Sequence, residues 1–250
     1  LASSAASDVY KRQAAGCQPL RDLLEKTGMP ATHTLMAAGV LGYGEPHNLG
    51  MLGMHGSLGS NKKTQECDLL IAIGMRFDDR ITGKLETYAR QAKKIHFDID
   101  PSEINKNVKV DVAVLGDCKT TLPAVTELLE KKNHQAWRDS FRVYDEQERN
   151  IVIEPQIHPA EGPIRMGEVV RKVSEMTENR AILVTDVGQN QMLAARYFKF
   201  TQRRSIVTSG GMGTMGYGLP AAIGATFGAP DRTVCLFIGC LLYTSPSPRD

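Results

Sequence analysis

Residues Asp68–Gly74 read DLLIAIG, an unbroken apolar run closed by a glycine. Such a run, too short for a globular helix and without polar alternation, predicts a parallel strand covered on both faces. KKIHFDID, Lys93–Asp100, follows after a polar turn and a short helix and predicts a second such strand. Val110–Leu115 predicts a third, and a helix over Thr121–Lys131 comes after it. Upstream, Leu20, Leu23, Leu24 and Thr27 share one helical face that Gly28 and Pro30 terminate. Thr32–Met36 predicts a short strand and Ser60–Glu66 a helix. Between them AAGVLGYGEPHNLGMLGMHGSLG is too glycine-dense for regular structure. Strand, loop and helix in repetition, with buried strands, predict a doubly wound parallel α/β sheet.

From about Asn133 the periodicity decays into a polar helix and then IEPQIHPAEGP, whose prolines and glycine predict a connector. A second α/β pattern follows. It comprises an amphipathic helix over Met166–Met176, a strand over Ala181–Asp186, a helix over Gln189–Tyr197 and a strand in SIVTS. SGGMGTMGYGLPAAIGATFGA, a glycine-rich turn entering a small-residue helix, leads to the strand TVCLFIG.

The two ends carry no periodicity. Asp8–Gln13, DVYKRQ, back-translated as GAT GTG TAT AAG AGA CAG, reverse-complemented and shifted by one base, gives Cys-Leu-Leu-Tyr-Thr-Ser, the residues at Cys240–Ser245. Both ends resemble translated sequencing-library adaptors, so 1–13 and 240–250 are set aside as non-native. The expected organisation is a central domain over 14–132 without its first strand, a linker over 133–163, and a truncated second domain over 164–239.

A hydrophobic content of 42% supports a real core, and a net charge of +2 argues against general polyanion binding. No basic block or basic amphipathic helix points to nucleic acid or a membrane surface. No apolar run approaches the roughly 20 residues needed to span a bilayer. Cys17, Cys67, Cys118 and Cys235 are widely spaced, without a C-x-x-C pair, and read as buried thiols in a reducing compartment. That predicts a cytoplasmic location; a lost transit peptide is the alternative. His33, His47, His55, His96, His134 and His158 lack metal-ligand spacing, so no protein-only metal site is expected. No G-x-S-x-G occurs, which removes the serine hydrolase reading.

In an open parallel sheet, ligands lie beyond the carboxyl ends of the strands. Gly74, Arg76, Asp78 and Arg80 fall there, with arginines suited to phosphate or carboxylate oxygens and glycines that let backbone N–H groups approach. The alternative is a surface ion-pair cluster of Asp78, Asp79 and Arg80. Asp98 and Asp100 close the next strand and Gly116-Asp117 the one after. An acidic residue there suits ribose hydroxyls, while helix capping and turn formation account for the same residues equally well. In the second domain, TDVGQNQ (Thr185–Gln191) and GGMGTMGYG (Gly210–Gly218) each set glycines between strand and helix, an arrangement that offers free N–H groups to a phosphate. No Walker lysine follows, so this is not a kinase-type P-loop. The glycines and alanines of Gly218–Gly228 also suit close helix packing, and Met54 and Met212 suit core filling.

Together, GMLGMHG, QECDLLIAIGMRFDDRITGK, HFDIDPSEINK, DVGQNQM and SGGMGTMGYGLPAAIGA resemble the acetolactate synthase (acetohydroxyacid synthase) large-subunit family of thiamine diphosphate-dependent enzymes. The resemblance runs in order through residues 14–239. It implies an FAD-binding central domain followed by a thiamine diphosphate domain. It also implies a homodimer or higher oligomer with a regulatory subunit, and decarboxylating condensation of pyruvate with a second 2-keto acid, pyruvate or 2-ketobutyrate.

Carried over by residue, Thr34, Leu35, Met54, His55 and Gly56 would line FAD. Gly74, Arg76, Asp78 and Arg80 would follow its phosphates and ribityl chain, Asp98 and Ile99 would meet its adenosine half, and Gly116, Asp117 and Cys118 would complete the site. Met54 and Arg80 would also face the substrate channel. Gly188, Gln189 and Asn190 would approach the diphosphate, Gly213 would accept the aminopyrimidine amino group, and Met215 would support the bent cofactor. The family's activating glutamate belongs to an N-terminal domain not present here. Its Mg²⁺-binding aspartate is expected just beyond Gly239. The 250-residue chain is therefore expected to be inactive. The competing expectations are a pyruvate oxidase or glyoxylate carboligase type of thiamine diphosphate enzyme, or a nucleotide-binding regulatory module without catalysis.

Overall fold

The structure, a computed structural model, describes residues 2–4 and 16–239. Two compact units divide the chain between Arg149 and Asn150. Most of the two stretches read as adaptor lies outside the described residues.

The first unit runs β1 (Ala2–Ser4), α1 (Cys17–Thr27), β2 (Ala31–His33), β3 (Asn48–Met51), α2 (Leu58–Glu66), β4 (Leu69–Ile73), α3 (Asp79–Thr82), β5 (Lys93–Asp98), β6 (Val112–Leu115), α4 (Cys118–Leu128), α5 (Gln135–Asp139) and α6 (Arg142–Glu148). Its six strands are ordered β3-β2-β1-β4-β5-β6 and every neighbouring pair is parallel. Chain direction across the sheet reverses beside β1, which makes the fold doubly wound with a switch point between β1 and β4.

β4 shows why the apolar run decides the fold. Leu70 and Ala72 face a cluster with Met75, Phe77, Tyr88 and Phe141. Ile71 and Ile73 face the opposite cluster, with Leu20, Leu23, Leu24, Phe97 and Leu122. Alternate side chains of one strand thus fill two cores, and a polar residue at either phase would be buried without a partner. The helical face expected from Leu20, Leu23 and Leu24 is fully buried, each side chain contributing about 1.5–3 kcal/mol. Gly28, at φ 70°, ends α1 in a left-handed cap.

Two expectations are corrected, and the place of a third is filled. The glycine-dense passage is not wholly irregular. It contains β3, an edge strand whose register slips against β2 between Ala31 and His33, with Gly50 at φ 97°. Glycine permits that irregularity and obscures the strand in the sequence. The slot of the first strand, expected to be missing, is taken by Ala2–Ser4, from the stretch read as adaptor, in register with Ala31–His33 on one side and Ile71–Ile73 on the other. β2 and β4 both turn rows of backbone donors and acceptors toward that slot, and a short extended segment satisfies both. Finally, residues from 133 onward do not all form a connector. Phe141 is fully buried in the first unit's core with Trp137 against it, and Glu148 Oε2 accepts the Leu58 N–H at 2.9 Å.

The second unit contains α7 (Glu154–Ile157), α8 (Met166–Met176), β7 (Ile182–Thr185), α9 (Gln189–Tyr197), β8 (Ile206–Val207), α10 (Gly218–Gly228) and β9 (Val234–Phe237). The strands form a parallel sheet ordered β8-β7-β9. β7, in the middle, is buried at every position. α10 closes one face of this sheet through Ala222, which clusters with Ile182 and Val184. Among the described residues no helix is long and apolar enough to cross a membrane.

Candidate cofactor-binding sites

In the first unit the carboxyl ends of the strands gather most of the residues expected at a cofactor. Thr34 and Leu35 follow β2, where Thr34 O accepts from Ala37 N at 3.0 Å to open a single 3₁₀ turn. GMLGMHG begins within β3 and turns beyond it, joined to α3 by Met54 N donating to Arg80 O at 2.7 Å. Met54 is 56% exposed beside it. Gly56 is sterically obligatory. A Cβ there would strike Met51 O and would lie 2.7 Å from Leu52 C. Asn61, from α2, grips the same turn with both amide atoms: its Oδ1 accepts Gly53 N–H and its Nδ2 donates to Gly53 O, each at 3.0 Å.

After β4, Gly74 takes φ 62° and donates its N–H to Phe97 O at 2.7 Å. Arg76 lies 3.5 Å from Asp78 and is about one-third exposed, whereas Arg80 is largely exposed and 4.0 Å from Asp79. The surface ion pairs and the cofactor reading therefore share these residues. Phe77, between them, is buried at φ 52°. Its carbonyl and that of Arg76 accept from Asn107 Nδ2 at 3.1 and 3.4 Å.

The acidic residues divide. Asp100 and Asp117 behave as caps, accepting Ser102 N–H and Lys119 N–H at 2.8 and 2.9 Å. Asp98 is nearly fully buried: Oδ1 accepts Asp100 N–H at 2.9 Å, and its backbone carbonyl accepts Gly116 N–H at 2.9 Å. Ile99 is exposed beside it. Cys118 offers this edge its backbone and not its thiol. Its thiol lies in the core with Leu20 and Leu122, and burial, then Asp117, pushes its pKa up to about 11. The first residue of an amphipathic helix turns inward, so only its backbone reaches the strand edge.

In the second unit Gly188, at φ 135°, turns the chain from β7 into α9, and Gly188 and Gln189 are exposed at the helix N-terminus. A nine-residue helix there offers unpaired N–H groups and the positive end of its dipole to an anion. Asn190 spans the end of β9 and this turn: its Nδ2 donates to Phe237 O at 2.9 Å, and its Oδ1 lies beside Gly188. Gly213, at φ 63°, and Met215, 63% exposed, sit on the loop opposite.

Asp186 anchors this loop, although nothing in its residue type singled it out. It is 4% exposed. Its Oδ1 accepts Val187 N–H at 2.7 Å and Gly216 N–H at 2.9 Å, and its Oδ2 lies 3.1 Å from the same Gly216 nitrogen. The signal was its position: a carboxylate ending a buried strand two residues before a glycine. Behind it, Thr208 Oγ1 accepts from Thr185 Oγ1 and from Gln191 Nε2, both at 2.7 Å, tying β7, α9 and the end of β8.

Residues 11–125 match the family model for the thiamine pyrophosphate enzyme central domain, and residues 186–239 match the C-terminal TPP binding domain of the same enzymes. The chain belongs to the thiamine pyrophosphate enzymes. Among curated proteins it is 43% identical over 224 residues to the acetolactate synthase large subunit of Parasynechococcus marenigrum, covering 88% of this chain and 35% of that one. It is 43% identical over 220 residues to the acetolactate synthase isozyme 2 large subunit of Escherichia coli, covering 88% and 39%. It is 41% identical over 232 residues to a probable acetolactate synthase large subunit of Methanocaldococcus jannaschii, covering 89% and 38%. The chain spans a little over a third of the length of these relatives. The family implies thiamine diphosphate as cofactor. The exposed N-terminus of α9 and the Asp186-anchored loop fit its diphosphate.

Proposed function

We propose that the chain is a segment of an acetolactate synthase large subunit, an enzyme that condenses pyruvate with pyruvate or 2-ketobutyrate after decarboxylation. What carries this reading is identity above 40% to named acetolactate synthases across both units at once. In the second unit, Gly188 and Gln189 would hold the diphosphate by backbone N–H groups at the start of α9, and Gly213 and Met215 would meet the heterocyclic half. Asp186 would act indirectly, fixing Gly216 and hence the path of that loop. Bound thiamine diphosphate supplies the electron sink that decarboxylation of a 2-keto acid requires. The protein's share is orientation and exclusion of water, which agrees with the small number of titratable side chains at this opening. Mg²⁺ would complete the set, neutralising diphosphate charge and needing few protein ligands; among the described residues no group of three or more His, Cys, Asp or Glu could hold a metal unaided.

In the first unit we propose FAD, with its phosphates along Gly74, Arg76, Asp78 and Arg80 and its adenosine half toward Asp98, Ile99, Gly116 and Asp117. The strand order with its switch point supports a dinucleotide at this edge. Met54 and Arg80, exposed and joined through the backbone, would face the substrate channel. The proposed assembly is a homodimer or higher oligomer with a regulatory subunit, a reading supported by the words "large subunit" in the relatives' names. Residues 1–13 and 240–250 are proposed to be adaptor-derived, on the strength of their reverse-complement relation.

The decisive test titrates the 250-residue chain with thiamine diphosphate and Mg²⁺ in a calorimeter and with FAD by flavin fluorescence. Binding of both at separate sites is expected, with no acetolactate formed from pyruvate. Failure to bind thiamine diphosphate at millimolar concentration would remove the reading for the second unit. Acetolactate production would overturn the proposed inactivity, and reduction of the flavin by pyruvate would favour an oxidase.

A further inference from the structure

His96 has no role in the reading so far, yet it is the most enclosed ionisable side chain beside the proposed adenosine site. It is 0% exposed at the centre of β5, between Ala72 of β4 and Ala113 of β6. Phe77 meets its ring edge-to-face at 5.1 Å. Neither ring nitrogen has a hydrogen-bond partner, and neither does Oδ2 of Asp98. Those atoms face each other, with Nε2 3.6 Å from Oδ2. A buried polar atom left unpaired is costly, so a complementary donor and acceptor this close, Nε2 and Oδ2, point to one interaction.

We propose that His96 is a positioning residue that holds Asp98 for an adenine dinucleotide: its Nε2–H fixes Oδ2, directly or through one buried water. The other carboxylate oxygen is thereby committed to Asp100 N–H, and the Asp98 carbonyl to Gly116 N–H. Two turns, at the ends of β5 and β6, are then set by one imidazole that never touches the ligand. Phe77 sets the imidazole in turn, and it belongs to the Gly74–Arg80 segment proposed to follow the phosphates. The two halves of the site are therefore mechanically connected beneath the surface. This inference rests on the FAD reading of the first unit.

The test compares His96→Phe, which keeps ring volume and removes the N–H, with His96→Gln, which keeps an amide N–H near the Nε2 position. Each full chain is titrated with FAD and with FMN, which lacks adenosine. Loss of one buried hydrogen bond is expected to weaken FAD binding about tenfold in His96→Phe, leave FMN within about twofold, and be largely restored in His96→Gln. Equal FAD affinity in all three chains, or equal loss of FAD and FMN, would overturn the proposal. A wild-type chain that binds neither flavin defeats the FAD reading instead. Amide exchange then decides the positioning role: Asp100 and Gly116 should exchange about tenfold faster in His96→Phe than in His96→Gln. A uniform rise across β4, β5 and β6 would reduce His96 to packing.

Discussion

Two glycine-rich turns follow strand ends in this molecule and are held by opposite means. GMLGMHG, in the first unit, is locked by contact: a Cβ on Gly56 would collide with Met51 and Leu52 backbone, and Asn61 grips Gly53 with both amide atoms. GGMGTMG, in the second, is open. A Cβ on Gly211 or Gly216 would meet nothing within 4 Å, Met212 is 90% exposed, and the main tether is the Asp186 carboxylate. Glycine serves packing in the first and backbone direction in the second. A turn with its own contacts is finished; a turn with empty space around it and fixed dihedrals is shaped for something else to fill.

The sharpest way to break this contrast is Gly56→Ala. It should destabilise the first unit by about 3 kcal/mol or more, because backbone rather than a flexible side chain blocks the added methyl. Urea unfolding followed by Trp137 fluorescence reports it, and a loss under about 1 kcal/mol would show that the first turn is not locked. Asp186→Ala comes next. It strips the acceptor from two N–H groups and should cost about 2 kcal/mol, with faster amide exchange at Gly216 and weaker thiamine diphosphate binding. Gly216→Ala should cost about 1 kcal/mol, from its φ of 88° alone, while Gly211→Ala, unstrained and unobstructed, should fall within about 0.5 kcal/mol. If Gly211→Ala were as damaging as Gly56→Ala, the two turns would not differ.

The smallest effect concerns the support of the locked turn. Asp145, on α6, has a carboxylate oxygen close enough to Gly59 that a Cβ there would be 2.7 Å from it. Although more than a third of the residue remains open to solvent, desolvation of the carboxyl, with Glu148 nearby, pushes its pKa up to about 6. The unfolded value is about 3.9, so between the two the folded chain binds more protons than the unfolded one. Stability should therefore fall slightly as pH rises from about 4 to about 6, and Asp145→Asn should abolish that slope. Urea midpoints measured at several pH values in both chains provide the check.

The sequence made legible what repeats. The double-sided burial of DLLIAIG, the cap at Gly28, the length of α8 and the start of α9 at Gln189 all follow from periodicity and local chemistry. It hid what depends on a distant partner. β3 was obscured by the glycines that let it bend. Phe141 counts as one apolar residue in a polar stretch until the first unit's core closes on it. Asp186 became a loop anchor only because Gly216, thirty residues later, returns to it. The same rule governs the site residues. Gly188 and Gln189 lie where the strand-to-helix pattern placed them. The thiol of Cys118 and the amide nitrogen of Asn190 are committed elsewhere, to a core and to a strand end.

The middle position of β7 has a consequence for the order in which the chain is made. Asp186 N–H and Ile182 N–H donate to Phe237 and Thr233 carbonyls, and Asn190 adds a third bond to Phe237. All three donors leave the ribosome roughly fifty residues before their acceptors, an interval of several seconds at typical synthesis rates. During that interval the β7 edge stands unpaired, ready to accept any extended segment within reach. A translational pause or an early stop before β9 would thus leave a nascent chain with an adhesive flank, and chaperone demand should peak there.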